Sequence, residues 1–288
     1  MSCSGNCETC SLREACASGG VPDQMREALK DIHDAMENVQ HKILVLSGKG
    51  GVGKSTVTYL LAKSLSQQYQ VGVLDLDLCG PSMPTLFQAE QEPLLDTSFG
   101  FQLAQVCDNI GLVSSQFFLD DPDSAVAVRG PVKNSLVLQF LRDVDWEETE
   151  FIVVDTPPGT SDEHLSVVSF MKDAGIDGAI IVTTPEEIAI ADVRREITFC
   201  QRADVKVLGI IENMSQYTCQ KCHQTSQIYP KTSGGAEALC QSKNIPLLGK
   251  LSIDPALVAG LIGEQFSISE TILKEIAQIR ENLEKALA

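Results

Sequence analysis

Five apolar runs recur along the chain, KILVLS, VGVLDLD, FIVVD, GAIIVTT and VKVLGIIEN. Helix-like segments lie between them: one from Lys54, one through LSVVSFM and one around IADVRREITFC. Strands that are apolar along their whole length have both faces covered, and strands separated by helices pair in parallel. The expected fold is therefore α/β, a doubly wound, mostly parallel sheet with helices on both faces. Ahead of the first run, PDQMREALKDIHDAMENV places Met25, Leu29, Ile32, Met36 and Val39 at helical spacing from about Pro22, which predicts an amphipathic helix docked on the main domain. Towards the other end, SISETILKEIAQIRENLEKALA sets Ile272, Ile276, Ile279 and Leu283 on one face, with mixed Lys and Glu opposite. Lacking the Lys/Arg excess of a membrane-surface helix, it reads as a core-docking helix. The stretch from Glu90 to Val128 is less regular and is expected to hold an additional strand pair or an insertion.

Directly after the first run comes SGKGGVGKST, in which Gly48, Gly53, Lys54 and Ser55 match G-x-x-x-x-G-K-[ST]. Glycines let backbone N–H groups curl round phosphate oxygens, and a helix starting near Lys54 points its positive end at them. Lys54 supplies a cation, and the Ser55 hydroxyl suits Mg²⁺. Two acidic clusters close strands downstream: VLDLDLCGPS ends one with Asp75 and Asp77, and FIVVDTPPGT ends another with Asp155. Magnesium and an attacking water need carboxylates at such strand ends. Each Asp alone is equally a strand-end cap; three beside a phosphate loop favour the site. Guanine recognition usually takes an N-K-x-D element, which the sequence lacks, so ATP is the expected nucleotide.

Composition narrows the partners. The formal charge of -17 removes the electrostatic term that a phosphate-backbone binder depends on. No apolar stretch reaches the ~18 residues of a membrane span, and the acidic start does not suit a transit peptide. The expectation is a cytoplasmic protein without nucleic-acid or membrane partners. Cytosolic thiols stay reduced, so closely spaced ones read as metal ligands before disulfides. MSCSGNCETCSLREAC puts Cys3, Cys7, Cys10 and Cys16 into a stretch too polar to bury them, and a metal centre there would supply the ordering energy that burial cannot. A second group, Cys219 and Cys222 in YTCQKCHQ, is half of a four-ligand site, which a two-fold axis would complete as Cys₄. A bridging iron-sulfur cluster, a bridging zinc and a redox dithiol all fit this pair, and zinc is a second candidate for the tail. His223 is an alternative ligand or an exposed bystander. The scattered Cys79, Cys107, Cys200 and Cys240 are expected to be buried as small apolar residues.

The loop GKGGVGKS, with Lys49 beside its first glycine, resembles the deviant P-loop of the MinD/ParA class of dimeric ATPases. DLDLCGPSMP, DTPPGTSDEHL, TTPEEIAIADVRR and IENMSQYTCQKC resemble the Mrp-type nucleotide-binding proteins that assemble iron-sulfur clusters, and the similarity covers residues about 41 to 256. It implies a slow, Mg-dependent ATPase whose hydrolysis acts as a switch. Residues 48 to 56 (Gly48, Lys49, Gly50, Gly51, Val52, Gly53, Lys54, Ser55, Thr56) would bind nucleotide, with Asn213 at the adenine. Lys49 would reach the partner subunit's phosphates, Lys54 would hold the phosphates in its own subunit, and Asp77 would orient the attacking water. Ser55, Asp75 and Asp155 would serve Mg²⁺. By the same resemblance Cys219 and Cys222 hold a transferable [4Fe-4S] cluster between two subunits.

The spacing Cys7-x2-Cys10-x5-Cys16 resembles the cytosolic Nubp-one subclass, which carries an N-terminal [4Fe-4S] cluster. That subclass has a long spacer before the trio, whereas here three residues separate Cys3 from Cys7. Cys3 is the candidate fourth ligand. The implied organisation is a cysteine-rich tail over residues 1–21 and a P-loop NTPase domain over 22–288. The implied assembly is a homodimer or a heterotetramer with a related Mrp-type chain, serving apo iron-sulfur proteins through targeting factors. Two rival classes share the nucleotide machinery. A partition or division ATPase would need a basic face, and a reductase like the nitrogenase iron protein takes its two cluster ligands per subunit from separate loops.

Overall fold

A computed structural model describes residues 23–77, 80–90, 95–97, 100–118, 130–159, 162–219, 221–230, 234–260 and 268–288. The tail with Cys3, Cys7, Cys10 and Cys16 lies outside the described residues, as does Cys79. In chain order the elements are α1 (Asp23–Ala35), β1 (His41–Leu46), α2 (Lys54–Leu65), β2 (Val71–Asp75), α3 (Met83–Phe87), β3 (Leu95–Thr97), β4 (Gly100–Gln102), β5 (Ala104–Cys107) and β6 (Ile110–Ser114). After a short 3-10 turn follow α4 (Gly130–Asp143), β7 (Phe151–Asp155), α5 (Asp162–Asp173), β8 (Gly178–Thr183), α6 (Glu187–Ala203) and β9 (Val207–Glu212). The chain continues through β10 (Tyr217–Thr218), β11 (Thr225–Ser226), α7 (Gly235–Lys243), β12 (Leu247–Lys250), α8 (Pro255–Gly260) and α9 (Glu270–Leu287).

Among the described residues eight strands form one sheet in the order β12-β9-β8-β1-β7-β2-β6-β5, parallel except for the antiparallel edge pair β5 and β6. The apolar runs explain the layering residue by residue. In β1, Leu44 and Leu46 face one core while Ile43 and Val45 face the other; β7 repeats this with Ile152 and Val154 against Phe151 and Val153. The first core is closed by α1, α4, α5, α6 and α7, the second by α2, α3 and α9. A period of two along each strand with no polar face is what a sheet covered on both sides requires.

The two terminal helices behave as their spacing predicts. Ile32 of the first, and Met36 just beyond its end, are buried, as are Ile272, Ile276, Ile279 and Leu283 on one face of α9. Ser269 caps α9 by accepting from the Ile272 N–H. The irregular stretch after Glu90 does contain a strand pair, β3 with β4. It also supplies β6, which was not expected there: all five of its residues are buried, and it pairs in parallel with β2. β1 occupies the middle of the sheet, with β2 reached on one side across β7 and β8 on the other. That reversal opens a crevice at the carboxyl ends of β1 and β7, where open α/β sheets bind ligands.

Candidate functional site

The phosphate loop leaves β1 at Ser47 and enters α2 at Lys54. Gly51 and Gly53 adopt φ of +81° and +80°, backbone that L side chains rarely tolerate. At Gly53 a Cβ would also lie 2.3 Å from Asn213 Nδ2, and at Gly48 one would lie 2.6 Å from Asp192 Cβ. A Cβ at Gly50 or Gly51 meets nothing within 4 Å. Packing on one side and open space on the other make a cradle of backbone amides at the positive end of a twelve-residue helix.

Beneath the loop, α2 and the ends of β2 and β7 build a buried acidic centre. Asp155 is fully buried; its Oδ2 accepts from Ser55 Oγ at 2.6 Å and its Oδ1 from Thr58 Oγ1 at 2.9 Å. Lys54 Nζ lies 2.6 Å from the same Oδ1 and is 6% exposed. The parallel register sets Asp75 beside Asp155. Asp75 accepts from Ser114 Oγ at 3.1 Å and from the N–H groups of Asp77 at 3.2 Å and Met83 at 3.3 Å. Burial pushes the Asp75 carboxyl up to about 7, the Asp155 charge adds to this, and the Lys54 ammonium pulls against it. Asp77, half-buried, begins the turn after β2, its carbonyl accepting from the Gly80 N–H at 3.2 Å.

Other predicted residues are brought to the same loop. Lys49 pairs with Glu186 at the head of α6, and Thr184 Oγ1 also donates to Glu186 Oε1 at 3.5 Å. Asn213 follows β9, and its Nδ2 donates to the Val52 carbonyl at 2.9 Å, so the side chain buttresses the phosphate loop from the next strand but one. Immediately after it, Met214 takes φ of 55°, a left-handed turn costing about 1 kcal/mol in a non-glycine residue, and directs the chain into the β10–β11 hairpin. The hairpin stem is fastened to the chain after β12, where Ile253 N–H donates to the Gln216 carbonyl at 2.7 Å.

Cys219 and Cys222 occupy the tip of that hairpin, Cys219 partly buried and Cys222 exposed. Cys219 N–H donates to the Gln224 carbonyl at 3.0 Å, and His223 N–H donates to the Cys219 carbonyl at 2.8 Å with His223 at φ 56°. The N–H groups of Cys222 and Lys221 point at the Cys219 sulfur and, with the Cys222 thiol, lower its pKa. A turn that aims amides at sulfur favours thiolate, the form that binds metal. Among the described residues no three or more His, Cys, Asp or Glu side chains gather as a metal site, so one chain offers two sulfurs here.

The scattered cysteines divide. Cys200 and Cys240 are buried as expected, and burial pushes their thiols up to about 12 and about 11. Cys107 departs from the expectation: it sits half-buried at the sheet edge and accepts from Lys63 Nζ at 3.0 Å. Sequence reasoning missed Ser114, Thr58, Glu186 and Asp192, which hold the acidic centre and the loop. Each meets the site residue it supports across 39 or more positions of sequence, so no local pattern marks it.

The donor set fits a magnesium nucleotide: an open amide cradle, a buried ammonium, a serine hydroxyl and two carboxylates at neighbouring strand ends. A loop of this kind on the central strand of a doubly wound sheet defines a P-loop NTPase. Similarity to known proteins narrows the class. The chain belongs to the ParA-type family of NUBPL iron-transfer P-loop NTPases, whose model matches residues 38–287. Among solved structures it is similar to a nucleotide-binding protein in complex with ADP from Archaeoglobus fulgidus, at 33% identity over 84% of this chain and 98% of that one, with a TM-score of 0.70. The cell division ATPase MinD of Pyrococcus furiosus is similar at 22% identity, TM-score 0.60, over 86% of this chain and 99% of that one. A plasmid partition protein from Borrelia burgdorferi bound to AMPPNP is similar at 21% identity, TM-score 0.61, over 85% and 98%. The last two likenesses concern the fold.

Proposed function

We propose that the chain is a Mg-dependent ATPase acting as a dimeric scaffold in the cytosol, which assembles an iron-sulfur cluster of the [4Fe-4S] type and delivers it to apo-proteins. The observation that carries this reading is the union, through one short segment, of a phosphate site and a thiol pair. Asn213 touches the phosphate loop at Val52, and six residues later Cys219 stands at the tip of the hairpin. The family's iron-transfer designation supports the cargo.

In this reading the amides of residues 48 to 56 and Lys54 would hold the phosphates, and Ser55, Asp75 and Asp155 would hold Mg²⁺. Bound magnesium would neutralise charge developing on the phosphoryl oxygens. Asp77, at the mouth of the acidic centre, orients water. Lys49 exchanges Glu186 for a phosphate of the facing subunit, and Asn213 serves the adenine side. Two copies bring four thiolates together, enough to hold one cluster as cargo. Filling the phosphate loop changes what Val52 and Asn213 pack against, so the hairpin senses nucleotide through Met214. The tail cysteines Cys3, Cys7, Cys10 and Cys16 form a second cluster site. A related Mrp-type chain as heterotetramer partner, and targeting factors for the recipients, complete the assignment.

The test is anaerobic reconstitution with ferrous ion and sulfide, followed by iron, sulfide and zinc counts. Wild type, Cys219→Ala/Cys222→Ala and a form lacking residues 1–20 are compared. The reading expects each cysteine group to account for a separate share of iron and sulfide. Zinc alone in place of iron, or iron uptake indifferent to both groups, sinks it.

A further inference from the structure

Beside the nucleotide site lies a buried titratable pair that the chemistry above does not use. His164, in the first turn of α5, and Glu196, in the third turn of α6, are both fully buried, with His164 Nε2 3.2 Å from Glu196 Oε1. His164 Nδ1 lies 3.2 Å from the Pro157 carbonyl, two residues beyond Asp155. A carbonyl only accepts, so Nδ1 carries hydrogen, and Nε2 faces the Glu196 carboxyl at ion-pair distance. The imidazole is locked edge-on against Phe199 at 4.8 Å. Isolating two such groups from water costs several kcal/mol unless each satisfies the other, so the pair calls for an account.

Its connections supply one. The loop held at Pro157 is also tied to the phosphate strand: Thr156 Oγ1 donates to the Val45 carbonyl at 2.8 Å, and Gly159 N–H donates to the Ser47 carbonyl at 2.8 Å. The helix held at Glu196 abuts the phosphate loop through Asp192 against Gly48 and carries Glu186, the partner of Lys49, at its head. One side chain thus bridges the strand-end loop of Asp155 and the helix that positions Lys49.

We infer that His164 and Glu196 are positioning residues, a buried strut that fixes the loop after Asp155 relative to α6 and so keeps the carboxylate centre and Lys49 in register across the phosphate loop. The strut rests on the ATPase reading for its consequence in turnover, but its mechanical part stands in the nucleotide-free chain. Glu196→Gln retains it, because the amide donates to a neutral Nε2 while Nδ1–H still reaches Pro157. Glu196→Ala and His164→Ala remove it.

Amide hydrogen exchange of the full chain without nucleotide tests the mechanical part. In both alanine variants, exchange of the Thr156 and Gly159 amides and of the first two turns of α6 should quicken by at least about tenfold, while α9 keeps its protection within about threefold. Glu196→Gln should match wild type. Uniform loss that includes α9, or no loss anywhere, overturns the inference. Steady-state ATPase then tests the consequence: kcat lowered at least about tenfold with KM within about threefold in the alanine variants, restored in Glu196→Gln. Unchanged kcat in folded alanine variants also overturns it. A wild type that neither binds nor hydrolyses ATP defeats the proposed function instead, and the exchange result alone then decides the strut.

Discussion

Asp75 makes a quantitative test of the acidic centre. Its carboxyl is raised from 3.8 to about 7 by burial and by the Asp155 charge. A group whose folded value is raised stabilises the fold below its unfolded value, and that stability is lost as pH climbs through the folded value. The three-unit rise corresponds to about 4 kcal/mol across the full window, and to about 3 kcal/mol between about pH 5 and about pH 8. Asp75→Asn removes the ionisation but keeps one acceptor, which retains the bonds from Ser114 and Met83 or the bond from Asp77. The lost long hydrogen bond costs about 1 kcal/mol. Without nucleotide and with metal chelated, the variant should nearly equal wild type near pH 5 and exceed it by about 3 kcal/mol near pH 8. Urea unfolding of both proteins across this range measures the difference, and contributions common to both cancel. A difference that stays flat with pH to within about 0.5 kcal/mol refutes the buried-carboxylate argument. Saturating magnesium nucleotide should reverse the order, because the wild-type carboxylate then faces a cation that the amide binds poorly.

Lys54→Ala leaves the Asp155 carboxylate buried beside two hydroxyls and no cation; it should cost about 3 kcal/mol in unfolding and abolish binding of a fluorescent ATP analogue, and retained binding counts against the loop assignment. Alkylation followed by peptide mapping should label Cys219 at least about a hundredfold faster than Cys200, since one thiol is lowered by amide donors and the other pushed up by burial; comparable rates contradict the hairpin geometry. Lys49→Ala should remain monomeric by light scattering with magnesium and a non-hydrolysable ATP analogue, conditions under which the proposed function expects wild type to dimerise; a dimeric variant removes Lys49 from the interface.

Much of this was legible because the decisive signals are local. FIVVD and GAIIVTT are apolar along their length and ended by a polar residue, so they identify themselves as covered strands with a site at their tips, and SGKGGVGKST needs only its own glycines to define a phosphate cradle. β6 was hidden because IGLVS is interrupted by Gly111, where an added Cβ would lie 2.6 Å from Leu103 Cβ. α4 opens with Gly-Pro, the signature of a turn, and its helical nature comes from packing of Val137, Phe140 and Leu141 into the core. Ser114, His164 and Glu196 are invisible for another reason. Each matters through a neighbour brought by the fold, and a serine, histidine or glutamate reads the same in sequence whether it meets a buried partner or nothing.

The helix at residues 270–287 carries a consequence for synthesis. It covers the outer flank of α2, where Arg280 Nη1 donates to the Ser64 carbonyl at 3.1 Å across 216 positions of sequence. When the phosphate loop leaves the ribosome, the flank of its helix that carries Leu60 and Ser64 therefore lacks this cover until more than two hundred further residues have been made. Such long-range closure slows folding and leaves the nascent chain dependent on chaperones. Competence to take up nucleotide is thus set late in translation, long after the cysteines of the opening segment have met the cell.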